Sequence, residues 1–221
     1  MAATDVTVER RAEKEKDDLL REKQLLMQEL QHRVANSLQI IASVLLQSAR
    51  KVNSEETRSH LSDAHHRVLS VATLQKQLAT TQAGEVALRP YFTELCQSIS
   101  ASMISRPDVL ELVARVDDSK VDARISESLG LIATELVINA LKHAFPAGHR
   151  DARIVVDFHS NATGWILQVD DNGVGLPLDR KATLPGLGTG IVEALAGQLD
   201  ATLVVDDAHP GTCVSIVHVW K

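Results

Sequence analysis

The sequence predicts an α+β protein in two parts: an N-terminal helical hairpin over residues 1–82 and an α/β sandwich over residues 86–221. Three observations carry that prediction. The first 80 residues contain neither glycine nor proline, the two strongest helix breakers. Around Gly84, in a linker spanning Thr80 to Val86, the apolar spacing changes from a purely helical period to a mixture of helical and alternating patterns. Beyond the linker, helix, strand, helix, hairpin, glycine loop, helix and hairpin follow one another, an order that lays helices on one face of a mixed sheet.

Glu9 to Glu22 is dense in alternating charge, as in a solvated helix or coiled-coil lead-in. From Leu26 an apolar stripe follows at helical spacing: Leu26, Leu30, Val34, Leu38, Ile41 and Leu45, a face that needs a partner. A break at Val52-Asn53-Ser54 precedes a second helix with Leu61, Val68, Leu69, Ala72 and Leu78 as its apolar set, and with Glu55 and Glu56 where the helix dipole favours them. One such hairpin buries little, so two are expected to pair into a four-helix bundle, making the protein a homodimer.

In the second part, Pro90 suits the first position of a helix reaching about Met103, and Leu110 to Val116 alternates like a strand. Ser126 to Phe145 reads as a long apolar helix ended by Pro146 and Gly148. Arg153 to His159 and Trp165 to Asp170 read as strands joined at Asn161 to Gly164. A glycine-rich stretch leads into a helix from Ile191 to Gln198, and strands at Ala201 to Val205 and Thr212 to Val219 meet across Pro210-Gly211.

Composition narrows the function. The net charge is −6 and aromatics are 3% of residues, which leaves neither a basic surface nor a stacking platform for nucleic acid. Any polyphosphate must therefore be held by backbone amides, a few cations or a metal ion. Cys96 and Cys213 stand alone in apolar contexts and read as reduced core thiols. No apolar run approaches a membrane span, so a cytoplasmic protein, or the cytoplasmic piece of a larger one, is expected.

Three clusters carry chemistry. Glu135, Asn139, Lys142 and His143 fall at i, i+4, i+7 and i+8, so an acid, an amide and two potential cations share one helix face. Such a face can hold a hydrated Mg²⁺ and a phosphate oxygen, or can simply be the polar side of a surface helix. Asp170-Asp171-Asn172-Gly173-Val174-Gly175 follows a strand; it can offer a carboxylate to an exocyclic amine, or can be a tight turn. Gly186-Leu187-Gly188-Thr189-Gly190 opens a helix, and free amides there attract anions. It is neither the dinucleotide fingerprint nor a P-loop, since no βαβ unit precedes it and no Gly-Lys-Ser/Thr follows.

Together and in this order, the clusters resemble the N, G1 and G2 boxes of the Bergerat ATP-binding fold shared by histidine kinases, gyrase-type ATPases and anti-sigma-factor kinases. That resemblance implies that Asn139 coordinates Mg²⁺, that Lys142 and His143 approach the phosphates and that Asp171 reads adenine. Gly173 and Gly175 would flank the base. Gly186, Gly188 and Gly190, with Leu187 and Thr189 between them, would wrap the triphosphate, and Pro177 to Pro185 would be a short lid.

In the first part, Glu29-Leu-Gln-His32-Arg-Val-Ala-Asn36 resembles the phosphoacceptor helix of sensor histidine kinases with a His-Arg-Val-x-Asn core. The combined resemblance spans roughly residues 20–219. It implies that His32 takes the γ-phosphate of ATP and passes it to an Asp in the receiver domain of a response regulator. His32 lies about 160° around the helix from Leu30 and Val34, pointing away from the apolar stripe. A neutral imidazole nitrogen is a competent nucleophile towards phosphorus. The residue after His32 is Arg33, where many histidine kinases carry an acid, so Glu29, one turn earlier, is the substitute base. Asn36, four residues on, would position a water for dephosphorylating the regulator. His65-His66-Arg67 lacks the downstream Asn, so His65 and His66 read as surface or packing histidines, and Gln75 stands where relatives often carry His.

Two further readings use the same parts. One is a histidine phosphotransferase that does not use ATP, against which Glu135, Asn139, Asp171 and the glycine loops argue. The other is an anti-sigma-type kinase that phosphorylates serine on a partner, in which the hairpin bearing His32 has no place. The roughly 25 residues before the acceptor region are too few for a sensory domain, so sensing is expected from a separate protein or a removed domain.

Overall fold

A computed structural model describes residues 2–80, 85–104, 106, 108–146, 151–175, 187–208 and 210–220. The chain opens with two helices, α1 (Ala2–Lys51) and α2 (Glu55–Thr80), folded back on each other. The turn between them is built as its residues dictate. Arg50 and Lys51 sit in the last turn of α1, beside its negative dipole end. Ser54 Oγ accepts a bond from Thr57 N at 3.3 Å, ahead of the acidic first turn of α2.

The faces that meet are not the ones the apolar stripe marks. Ala35, Ala42 and Ala49 are buried, with Gln28, Gln31, Leu38 and Leu45 half-buried along the same face, a seam whose most buried positions are small alanines seven residues apart. Small residues let two helices approach closely, and His65 of α2 seals the seam with a 2.8 Å contact from Nδ1 to the Ala42 carbonyl oxygen. Leu26, Leu30, Val34 and Ile41 stay exposed, in company with Leu19, Leu20, Met27 and Val44. The expected stripe is therefore split: Leu38 and Leu45 border the intrachain seam, while its other four members face outward.

The rest of the chain is a sandwich. The short strand β1 (Glu85–Ala87) pairs antiparallel with β3 (Lys120–Asp122), where the sequence suggested only a linker. Helix α3 (Leu88–Met103) begins two residues earlier than Pro90 implied, which places Pro90 within the first turn rather than at its first position. Strands β2 (Leu110–Val116), β4 (Ala152–Asn161), β5 (Gly164–Asp171), β6 (Ala201–Asp207) and β7 (Thr212–Val219) form one sheet in the order β2-β4-β5-β7-β6. Only β2 and β4 are parallel, because the long helix α4 (Ala123–His143) crosses between them. Asp122 caps α4, its carboxylate accepting from Arg124 N at 2.8 Å. The last helix is α5 (Leu187–Gln198).

Helices α3, α4 and α5 cover one face of the sheet, over Ile154, Val156, Phe158, Leu167, Val169 and Ile216. Leu74 and Leu78 near the end of α2 belong to this same core, beside Leu88 and Phe92. The hairpin is thus anchored to the sandwich by apolar packing at one end.

Candidate nucleotide site and phosphoacceptor helix

Helix α4 is apolar nearly all round, with Leu129, Ile132, Ala133, Leu136, Val137 and Ile138 buried. Against that background its polar face stands out. Glu135 is buried, Asn139 half-buried, and Lys142 and His143 exposed. Two glycine segments arrive at this face from far along the chain. A Cβ on Gly188 would lie 2.7 Å from Glu135 Oε2 and 3.7 Å from Asn139 Oδ1, so the first turn of α5 rests directly on the acid and the amide. A Cβ on Gly173 would lie 2.6 Å from the Ala144 side chain, and Val174 N donates to the Ala144 carbonyl oxygen at 3.0 Å. The loop after β5 is thereby fastened to the other end of α4. Glu135 and Ala144 are separated by about 13 Å along the helix at 1.5 Å per residue, a span comparable with an extended nucleoside triphosphate.

At the Gly173 end, Asp171 Oδ1 accepts from Gly173 N at 2.9 Å and from Thr212 N at 3.3 Å. Burial pushes its carboxyl above the ordinary aspartate range, and the two amides pull the other way. Gly211 has φ +96 and crosses over the Asp171 carbonyl so closely that a side chain there would strike it. Gly175, at φ 76, also uses a conformation that favours glycine. Asn172 pins the loop, accepting from Arg153 N at 2.7 Å and donating to the Asp151 carbonyl oxygen at 2.8 Å.

At the Gly188 end, hard oxygen donors from Glu135 and Asn139 face the N-terminal turn of α5, which Thr189 and Gly190 continue. Such a donor set suits Mg²⁺, which takes one or two protein oxygens and completes its shell with phosphate and water. Gly186 and the expected lid from Pro177 to Pro185 lie outside the described residues.

Three residues that the sequence did not assign to the site also reach this face, all from α2. Arg67 donates from Nε to Glu135 Oε1 and from its second terminal nitrogen to Oε2 at 2.9 Å. The bond to Glu135 raises the guanidinium further above its usual range. Asp63 receives Lys142 Nζ at 2.6 and 2.8 Å, and Ser59 Oγ accepts from the same ammonium at 3.1 Å. The available signal was Glu135 itself, since an acid on a buried helix face requires a cation from somewhere.

On α1, His32, Glu29 and Asn36 are all exposed. Glu29 Oε1 is held by Arg33 at 2.6 Å, one turn on, so the acid nearest His32 is already paired with the cation that follows it. His65 and His66 are buried, edge to face with ring centroids 4.8 Å apart; they are packing residues. From the His65–Ala42 contact and the antiparallel course of the helices, Gln75 lies at about the level of His32.

Comparison with known proteins gives this geometry a family. Residues 29–103 match the family described as histidine kinase, and residues 125–220 match the histidine kinase-, DNA gyrase B- and HSP90-like ATPases. The chain belongs to the histidine kinase family. It carries both modules of a protein-histidine kinase, an acceptor-helix region and an ATPase fold. The sensor histidine kinase PdtaS of Mycolicibacterium smegmatis is 30% identical over 201 residues, covering 90% of this chain and 40% of PdtaS. A blue-light-activated histidine kinase of Erythrobacter litoralis is 28% identical over 197 residues, covering 85% of this chain and 55% of that protein. The chain therefore spans about half the length of these relatives or less. The solved histidine kinase domain of an Erythrobacter litoralis blue-light-activated kinase shares the fold, with a TM-score of 0.64 at 21% identity over 82% of this chain and 94% of that one. Among the described residues no helix is long and apolar enough to cross a membrane.

Proposed function

We propose that this chain is a histidine autokinase of a two-component system, binding ATP with Mg²⁺ along α4 and phosphorylating His32. The observation that carries the reading is the arrival of Asp171-Gly173 and Gly188 at opposite ends of the Glu135–Ala144 face, in a chain whose other half presents an exposed histidine. Asp171 receives the adenine amine, the α5 amides and Lys142 the phosphates, and Asn139 with Glu135 the metal. A magnesium ion there supplies charge neutralisation on the phosphates. The unprotonated ring nitrogen of His32 forms the new N–P bond as the γ-phosphorus separates from its bridging oxygen. ADP leaves, and the proton on the other ring nitrogen is shed. Glu29 is the acceptor nearest in sequence, once it parts from Arg33. The phosphoryl group then passes to an Asp of a receiver domain.

Two chains pairing through the exposed apolar stripe of α1 would complete a four-helix bundle and bury Leu26, Leu30, Val34 and Ile41. We also assign residues 1–82 to the dimerisation and phosphoacceptor part and 86–221 to the ATP-binding part.

Incubation with γ-labelled ATP and Mg²⁺, followed by acid treatment, tests the reading. Acid-labile label that disappears in His32→Gln is expected. Acid-stable label on a partner would indicate a serine kinase instead, and phosphotransfer without any labelling from ATP would indicate a phosphotransferase. In the same assay, a normal rate in Glu29→Gln removes Glu29 as base. Loss of regulator dephosphorylation with normal kinase activity in Asn36→Ala supports the water-positioning role.

A further inference from the structure

The hairpin covers the polar face of α4 with complementary charges. Arg67 takes both oxygens of Glu135, whose side chain is left 3% exposed, and one turn away Asp63 takes the ammonium of Lys142. Both engaged groups are ones assigned above to Mg²⁺ and to phosphate.

We propose that these two bridges are a clamp that holds the ATP-binding half in a resting position, and that nucleotide binding and the clamp exclude one another. The inference rests on the reading of α4 as the phosphate-binding helix.

Three features support it. The exchange is like for like: Mg²⁺ replaces the Arg67 guanidinium at Glu135, and the triphosphate replaces the Asp63 carboxylate at Lys142. Neither Glu135 nor Lys142 need be left without a counter-charge as the occupants change, which would otherwise be costly for a buried carboxylate. Second, the docked position is wrong for transfer. By the His65–Ala42 register, Arg67 lies level with about residue 40 of α1, about eight residues and about 12 Å from His32 along the hairpin. Asp63 lies further still. A partner hairpin packed in parallel would hold its own His32 at the same level, so the offset applies to both acceptors. The phosphate end of the site must therefore move along the hairpin before it meets either histidine. Third, the attachment is divided in kind. Leu74 and Leu78, near the level of His32, hold the sandwich by apolar burial, while the two bridges, which flank the buried His66, are polar and partly solvated, with Arg67 28% and Lys142 31% exposed. Water and ions can replace the second set without uncovering the first.

The test uses the full chain with three measurements: affinity for a fluorescent non-hydrolysable ATP analogue with Mg²⁺, the rate of His32 labelling, and backbone hydrogen exchange over residues 59–67. In Asp63→Asn and Arg67→Gln the analogue should bind about fivefold or more tightly than to the wild type, with a matching rise in labelling. In the wild type, adding the analogue should speed exchange over 59–67. The exchange measurement needs no substitution, so it stands even if a variant folds poorly. The clamp is overturned if the variants bind nucleotide as the wild type does, or if nucleotide slows exchange in that segment. It is equally overturned if Arg67→Gln binds normally but loses transfer, since Arg67 would then serve the reaction itself. Failure of all three proteins to bind the analogue would instead overturn the underlying assignment of the ATP site.

Discussion

His66 gives the hairpin a measurable dependence on pH. Its ring is buried where α2 meets α3, with Ser102 Oγ 3.4 Å from Nδ1 and the His65 ring against its edge. Burial, then the neighbouring His65, and more weakly Lys142, lower its pKa to about 4, and Asp63 only partly opposes them. In the unfolded chain an ordinary histidine titrates near 6.5. The folded pKa is depressed, so the folded state favours the neutral ring. That preference contributes in full above pH 6.5 and is lost as the pH falls towards 4. Between pH 7 and pH 5 the unfolded form gains a proton that the folded form resists, costing about 2 kcal/mol; the cost levels off at about 3 kcal/mol below pH 4. Urea unfolding at pH 7, 6 and 5 measures the loss, and the comparison is His66→Gln, which removes the titration and keeps a polar side chain. The variant should be less stable than the wild type at pH 7 and lose about 2 kcal/mol less on going to pH 5. Using the difference between the two proteins cancels contributions from other groups, including Asp157 and Asp171, whose raised carboxyl pKa values work in the opposite direction. Equal pH slopes in the two proteins, or a His66 ring titrating near 6.5 in the folded chain, would refute the reasoning.

Two glycines give further tests. A Cβ at Gly130 would fall on the hydroxyl of Tyr91, which is buried and has no room to retreat, so Gly130→Ala should lower stability by about 1–3 kcal/mol in urea unfolding despite its better helix propensity. Adding Tyr91→Phe, which removes the nearest clashing atom, should recover part of that loss. Gly188→Val places two methyl groups against Glu135 and Asn139 and should weaken ATP binding about tenfold or more. Gly197→Ala in the same helix meets nothing within 4 Å and should bind nucleotide as the wild type does, which calorimetric titration would show.

Much of this architecture could be read along the chain because its signals are local. Long helices advertise themselves by period and by freedom from Gly and Pro, and α1, α2 and α4 lie where the pattern placed them within a few residues. The larger strands alternate because one face is covered by helices and the other is not. The candidate site segments were visible only as a set, since glycine next to a strand end can equally make a tight turn and it was the three clusters in order that pointed to a nucleotide. The three-residue strands β1 and β3 escaped notice, being too short for any period to register; their pairing brings together residues 85–87 and 120–122.

Tertiary structure decided the rest. Both the Leu26–Leu30–Val34 stripe and the Ala35–Ala42–Ala49 seam repeat at helical spacing, and hydrophobicity favours the first as the packed face. The intrachain partner takes the second, because small side chains let the helix backbones approach within reach of the bond from His65 to the Ala42 carbonyl oxygen. His65-His66-Arg67 likewise looks like one polar run, yet folding buries the two histidines and sends Arg67 to an acid 68 positions away. The sequence by itself marked the segments proposed to bind a nucleotide and the histidine proposed to accept its phosphate. Only the fold decided that the acid of that site is already occupied by the hairpin, because a charge pair between distant segments leaves no trace in the periodicity of either.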